Sequence, residues 1–516
     1  MNNKLKNIKK IRDKNSIKIL IILITLAIII RLYFTPFNIP ISLDGLDYFV
    51  YAVAMSRDSP FLNGYLPTNI GWSSFVSIFF SIIHDQEMLT LMNIQRILSI
   101  IVSTLIAIPV YFLTKIFFKK EISILAATLI LFDPRLIENS ILGITDGLFI
   151  LLVTSGIYFI FHQKGKLIYL SFVLISLSIF VRYEGLILII PLMISYILKS
   201  KEFNFSKIKF IIGILLFLTI TILINFIIYE NNETNVFDMF ISPFNYFSET
   251  IIINESDEND KFFATNENHL IIFMENAIGG FFKYLGWILL PTFIIFCLLG
   301  IIFMPKKITK NKIIFGLFFI FLALSSIFAY GRGFQETRYL LVLLPIITLL
   351  ACYGLNYLLK INLKKLTITI LSAIIISSFI FIEFRNENTE YENDMYKAAL
   401  LLTNDGSGVN HYSKDRFIKV ADIQNSWPEL LLKNEKGEME SSIKKFSTNG
   451  FTSLIEFIKF NEDKGLTHLL VKEKNREKIL DEIFFNEINY KFLEKIYDSD
   501  NIIKYKIFKI NYEKLE

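Results

Sequence analysis

Two aspartates three residues apart, Asp44 and Asp47, follow the first apolar run of the chain. On a helix they share a face, one turn apart. Carboxylates that close suit activation of a hydroxyl, a divalent metal or contacts to sugar hydroxyls. A solvated helix start with Asp44 as N-cap is the competing reading. A second group, Arg182-Tyr183-Glu184, interrupts the otherwise apolar stretch Leu167–Leu198. A third runs from Gly331 through Arg332, Glu336 and Arg338 to Tyr339 and opens another apolar stretch. Arginine makes forked, charge-assisted contacts with phosphate. The plainer alternatives are an ion pair tying helix ends at Arg182 and Glu184, and an interfacial anchor at Arg338 and Tyr339. Asp133, Arg135, Glu138 and Asp146 form a fourth group, and Arg96 is a weaker member of the third, arginine-bearing one. The five histidines are scattered, and none pairs at metal-ligand spacing. The pattern therefore specifies no cofactor; a divalent metal at the paired aspartates is the option left open.

The lysines show where these groups must lie. They concentrate in loops at 115–120, 164–166, 199–209, 306–312 and 360–365, whereas the acids and arginines occupy the alternate loops. Lysine-rich loops stay in the cytoplasm, so the acid and arginine groups are expected to meet on the outer face. The chain has 516 residues, 53% of them hydrophobic. Such a composition indicates a polytopic membrane protein of the cell membrane. The net charge of +5 is small, and no basic patch interleaved with aromatics points to nucleic acid. Cys297 and Cys352 sit inside apolar stretches, as expected of packed, unpaired thiols. The basic N-terminus precedes an apolar run without a small-residue cleavage site, so the first span is read as uncleaved with a cytoplasmic N-terminus.

Eleven helical spans are expected, at about 17–34, 88–114, 122–133, 146–162, 167–182, 185–198, 208–229, 278–304, 313–329, 339–359 and 366–384. An odd number places the C-terminus outside. The third to sixth are short for a hydrocarbon core about 30 Å thick. Lysines pin their inner ends, so their outer ends should sink below the surface, around a water-filled cavity. Those ends carry Asp133, Arg135, Glu138, Asp146, Arg182 and Glu184. The first outer loop should hold a helix from Asp44 and an interfacial helix over Gly71–Ile83 with a surface-seeking Trp72. The second long outer loop, about 230–277, carries glycosylation sequons at Asn232 and Asn254.

After Phe384 the composition becomes charged and mixed. Strand-like runs at Phe417–Val420, His468–Val471 and Ile502–Ile510 alternate with helix-like stretches at Phe451–Phe460 and Arg476–Phe485. The expected fold class is an α-helical polytopic membrane protein with about eleven transmembrane helices over residues 1–384 and a small soluble extracytoplasmic α/β domain over 385–516. No Walker loop, GxGxxG or HExxH motif is present.

At these residues the chain resembles the GT-C glycosyltransferases. The similarity is to the branch of protein mannosyltransferases and lipid A aminoarabinose transferases that uses polyprenyl-phosphate sugars. The residues that carry it are Asp44 followed by aromatics to Tyr51, the segment Pro67–Phe75, Thr145-Asp146, Arg182-Tyr183-Glu184, and Arg338-Tyr339 with Pro345. The family usually has Asp-Glu in its first loop; here Gly45 follows Asp44. The Trp-Trp-Asp-Tyr-Gly motif of oligosaccharyltransferases is absent, so en bloc oligosaccharide transfer is not expected. The resemblance implies an inverting transferase at the outer membrane face. Its donor would be a sugar on polyprenyl or dolichyl phosphate, its acceptor a lipid-linked glycan, a lipid or a protein. Asp44 would act as general base with Asp47 beside it. Arg182 and Arg338 would hold the phosphate, with Arg332 and Arg135 in the same basic set. Asp146 and Glu184 would orient sugar hydroxyls or those arginines. A transporter or flippase of a lipid-linked or anionic substrate is the alternative; it would place its charges near mid-membrane in two related halves.

Overall fold

The computed structural model describes residues 2–57, 69–83, 87–162, 167–200, 207–232, 269–360, 363–385, 389–404, 408–410, 420–421, 424, 444–448, 450–473, 478–499 and 504–515. The chain divides into two compact units. The first comprises residues 1–35, 67–72 and 96–385; the second comprises 36–66, 73–95 and 386–516.

The first unit is helical. Its elements are α1 (Asn2–Tyr33), the end of α4 (Met88–Leu105), α5 (Ala107–Phe117), α6 (Lys120–Leu131), α7 (Pro134–Ile141), α8 (Asp146–Phe161), α9 (Ile168–Val181), α10 (Ile189–Lys199), α11 (Lys207–Asn232), α12 (His269–Leu289), α13 (Ile294–Phe303), α14 (Lys310–Gly331), α15 (Leu344–Leu358) and α16 (Leu363–Arg385). Among the described residues, six helical stretches are long and apolar enough to cross a membrane, or seven if α12 and α13 count as one broken span. Several others are shorter, as the apolar run lengths indicated. Helices α6, α8 and α9 have 12, 16 and 14 residues. At about 1.5 Å per residue they extend roughly 18–24 Å.

The eighth span departs from expectation. One continuous helix was expected over 278–304, but the chain breaks between α12 and α13 with a bend of 105°. Pro291 lies in the break, where a proline donates no helical hydrogen bond and crowds the preceding turn. After the bend, α13 packs closely on α15. A Cβ on Gly354 would collide with the carbonyl oxygen of Phe296, and one on Gly300 with that of Leu350. Small residues let two backbones approach where lipid supplies no hydrophobic drive between helices. Alanine has the higher helix propensity, by about 1 kcal/mol, so propensity alone favours Gly354→Ala. Because the obstruction is backbone, we expect the reverse: a loss of about 1–3 kcal/mol and a lower unfolding temperature in detergent. An unchanged or raised midpoint would show that α13 and α15 separate at no cost.

Buried polar side chains fix other helices of this unit. Arg31, fully buried, donates from Nη1 to Leu131 O at 2.8 Å and so pins α1 to the end of α6. Asp133 caps α7 by accepting from Leu136 N at 2.9 Å, with Pro134 in the first turn. Trp72 was expected at the membrane surface. It is instead fully buried, and its indole donates to Gly143 O at 2.7 Å, which satisfies its polar edge inside the protein. Asn232 ends α11, and the Asn254 sequon lies outside the described residues.

The second unit holds α2 (Asp44–Ser56), most of α3 (Gly71–Phe80) and the start of α4. Among the described residues it also contains α17 (Thr389–Asn404), α18 (Leu454–Asn461), α19 (Lys478–Phe485) and five strands. The strands are β1 (Gly408–Asn410), β2 (Lys444–Phe446), β3 (Leu466–Lys472), β4 (Leu493–Asp498) and β5 (Tyr505–Ile510). They form one mixed sheet in the order β2-β1-β3-β5-β4. Strand β1 runs parallel to β2 and β3, whereas β5 is antiparallel to β3 and β4. Leu469 opposes Phe508, and both join Phe457, Ile458, Leu480 and Ile483 in the core beneath α18 and α19. Strands β3 and β5 and both helices match the sequence reading. The run Phe417–Val420 lies outside the described residues except for Val420.

Candidate active site

Arg182 and Glu184 meet because the chain turns sharply after α9. Arg182 N donates to Ser178 O at 2.8 Å, and Gly185 N donates to Arg182 O at 2.9 Å. The 3-10 segment Tyr183–Leu188 then leads into α10. Gly185 is required by this fold-back: a Cβ there would lie 2.5 Å from Ser178 Oγ and 2.9 Å from Ile179 N. The turn is tied from outside as well, since Tyr183 N donates to Asn69 Oδ1 at 3.3 Å.

The Arg182 guanidinium is shared by two carboxylates. Nη2 donates to Glu184 Oε1 at 2.8 Å and Nε faces Glu184 Oε2 at 3.4 Å, a forked contact. Nη1 donates to Asp146 Oδ1. The other carboxylate oxygen of Asp146 accepts from Asn139 Nδ2 at 3.0 Å. Asp146 opens α8, where the helix N-terminus favours negative charge. Phe149, nearly one turn on, places its ring 5.7 Å from the guanidinium carbon. The Asp146 and Glu184 side chains are 5% and 18% exposed, so the pair on the Asp146 side is the more deeply buried.

The Gly331–Tyr339 segment approaches this cluster from α14. Tyr330 OH donates to Glu336 O at 2.9 Å and Ser326 Oγ to Tyr339 O at 2.6 Å, which closes the loop. Gly333 turns it with φ 87°. Arg338 Nε lies 2.5 Å from Glu336 Oε2 and its guanidinium 5.3 Å from the Tyr339 ring. Arg332 lies 5.4 Å from the Phe334 ring. Arg332 also acts electrostatically on Tyr183, and Arg182 on Tyr339. The 3-10 segment Thr337–Leu343 packs on α7 and α8. Four chain segments therefore bring Asn139, Asp146, Arg182, Glu184, Arg332 and Arg338 to one end of the helix bundle. Arg135 has other partners. It pairs with Glu138 at 3.0 Å and lies 4.9 Å and 5.8 Å from the rings of Phe381 and Trp287. Those contacts serve packing, and none of them is with the Arg182 cluster.

In the second unit, Asp44 is the first residue of α2 and is exposed, while Asp47, one turn on, is half-buried. The N-cap position is Leu43, not Asp44. Leu43 adopts φ 56° and ψ −141° with its side chain largely exposed. That conformation costs an ordinary residue roughly 1–3 kcal/mol and persists only where the surroundings impose it. Helix α2 buries Leu46, Phe49, Val50 and Val53, the i, i+3, i+4, i+7 face. Gln95 Nε2 donates to Gly45 O and Ser73 Oγ to Tyr48 O, each at 2.9 Å, which holds the acidic first turn in place. Among the described residues, no three His, Cys, Asp or Glu side chains gather as a metal-ligand set.

Sequence reasoning missed Asn139, Phe149 and Leu43. An Asp-Pro helix start marks α7, but no local signal singles out Asn139, because its partner lies on another helix.

Residues 70–229, which include Asp146, Arg182 and Glu184, match the model of the dolichyl-phosphate-mannose-protein mannosyltransferase family. No curated protein matches by sequence. Among solved structures, the fold is similar to the oligosaccharyltransferase of Archaeoglobus fulgidus in its apo form. That match has a TM-score of 0.54 and 11% identity, over 89% of this chain and 69% of that one. It is also similar to ArnT of Cupriavidus metallidurans bound to undecaprenyl phosphate, with a TM-score of 0.51 and 10% identity, over 96% of this chain and 98% of that one. The expected GT-C type of fold is thus found, a polytopic helical bundle with a small mixed sheet that is similar to both enzymes.

Proposed function

We propose that the protein transfers a sugar from a polyprenyl or dolichyl phosphate to a hydroxyl of a lipid-linked glycan, a lipid or a protein. Transfer occurs on the outer membrane face with inversion at the anomeric carbon. The N-terminus lies in the cytoplasm, residues 1–384 form the catalytic membrane domain, and residues 385–516 form an extracytoplasmic domain. Asp44 accepts the acceptor's proton as the new bond to the sugar forms, and Asp47 orients the acceptor. The leaving group is a phosphate monoester, which needs charge stabilisation more than protonation. Arg182, Arg338 and Arg332 supply it. Asp146 and Glu184 hold Arg182, while Arg135 supports the helices that carry them.

The observation that carries this reading is Arg182 held between Asp146 and Glu184. Ionisable groups gathered at the end of short apolar helices are expensive, and where they occur they mark a functional site by default. The undecaprenyl phosphate bound by the structurally similar ArnT fits the same charge pattern. The strained Leu43 next to Asp44 supports a functional first turn in α2.

The test is incubation of the full-length protein in vesicles with a radiolabelled polyprenyl-phosphate sugar and an acceptor membrane extract. We expect label to leave the polyprenyl phosphate and free lipid phosphate to accumulate. Movement of intact labelled lipid across the bilayer, without release of lipid phosphate, would mark a flippase instead.

A further inference from the structure

We propose that Glu184 is a built-in competitor for the donor's phosphate, occupying the arginine fork that the phosphate must take. This rests on the reading that Arg182 contacts that phosphate. Glu184 presents two oxygens to Nη2 and Nε at 2.8 and 3.4 Å, the arrangement in which a guanidinium also receives two phosphate oxygens. The two carboxylates on Arg182 are not equivalent. Asp146 is buried at the start of α8 and is held a second time by Asn139 at 3.0 Å. Glu184 is more exposed, and among the described residues its hydrogen bonds are to Arg182 alone. It also sits two residues from Arg182 on a 3-10 turn, so a rotation of its own side chain releases the fork while the backbone stays in place. Asp146 is therefore the permanent partner and Glu184 the displaceable one.

The exchange is one anion for another. The donor's phosphodiester displaces the Glu184 carboxylate, which turns to water, while Asp146 keeps the guanidinium plane in place. After transfer, the same carboxylate returns to the fork and helps expel the polyprenyl phosphate product. A fork without a competitor would bind donor and product more tightly and release product more slowly. Glu184 thus limits donor affinity in favour of turnover.

The experiment uses the full-length protein in nanodiscs with undecaprenyl phosphate as probe, and inorganic phosphate as a test of whether the headgroup alone competes. Glu184→Gln keeps the shape and removes the charge. We expect undecaprenyl phosphate to bind on the order of tenfold more tightly and dissociate more slowly. kcat should fall, while kcat/KM for the donor holds or rises. Glu184→Asp keeps the charge and should remain near the parent affinity. Weaker binding in E184Q with a lower unfolding temperature would make Glu184 a tie between helix ends and overturn the proposal. So would failure of E184Q to fold while E184D folds and binds normally. Arg182→Met separates the two levels of inference. If it leaves undecaprenyl phosphate binding unchanged, Arg182 does not meet the phosphate, and the functional reading of that residue fails together with the competitor. If it weakens binding but E184Q does not tighten it, only the competitor is lost.

Discussion

Asp44→Asn should lower turnover by about 10²–10⁴, the cost of removing a general base, while leaving the lipid phosphate bound. The substitution preserves side-chain shape and removes the proton acceptor. Asp44 is exposed at the first position of α2, and the buried face of that helix is formed by Leu46, Phe49, Val50 and Val53, so the substitution leaves the apolar packing of α2 in place. The strained Leu43 fixes the direction from which Asp44 leaves the backbone. A carboxylate is a weak base in the ground state and acts by accepting the proton as the bond forms. Single-turnover transfer and undecaprenyl phosphate binding should therefore separate in this variant, with the first lost and the second kept. Asp47→Asn should cost less, since the half-buried Asp47 only orients. Full turnover in Asp44→Asn together with loss in Asp47→Asn would move the base to Asp47.

The second large effect is expected at the arginines. Arg182→Lys keeps the positive charge but cannot serve Asp146 and a forked partner at once. Three guanidinium nitrogens contact carboxylates in the structure, and an ammonium on a flexible stem cannot reproduce that plane. A hydrogen bond to a charged group contributes about 1.5–3 kcal/mol, so transfer should fall on the order of tenfold to a hundredfold. Arg338→Lys should show a loss of the same order with normal insertion into the membrane. Here the competing role is interfacial anchoring, in which lysine substitutes well because it too extends its charge to the surface. Near-normal transfer by Arg338→Lys, combined with poor insertion of Arg338→Ala, would assign Arg338 to anchoring and remove it from the site.

The catalytic candidates were legible because charge inside an apolar chain is conspicuous. Arg182-Tyr183-Glu184 stands out within Leu167–Leu198 without any knowledge of what surrounds it. Helix lengths were legible for the same reason: the short runs that became α6, α8 and α9 are bounded by charged residues. The break in the eighth span was written locally at Pro291, but a stretch apolar on both sides conceals it. Trp72 shows the limit of composition. An indole suits a membrane interface and a buried hydrogen bond equally well, and only the position of Gly143 O decides between them.

Apolar run length, lysine placement and isolated charges, all properties of neighbouring residues, determined by themselves that this is a helical membrane protein with acids and arginines grouped at helix ends. Which acid holds which arginine was decided by tertiary structure alone. Asp146 lies 36 residues from Arg182, and Asn139 lies on yet another helix. Periodicity records the faces of a single helix; contacts between helix ends depend on which helices pack side by side and how far each one extends. The same reason makes Glu184 a partner of Arg182 only once the chain folds back at Gly185.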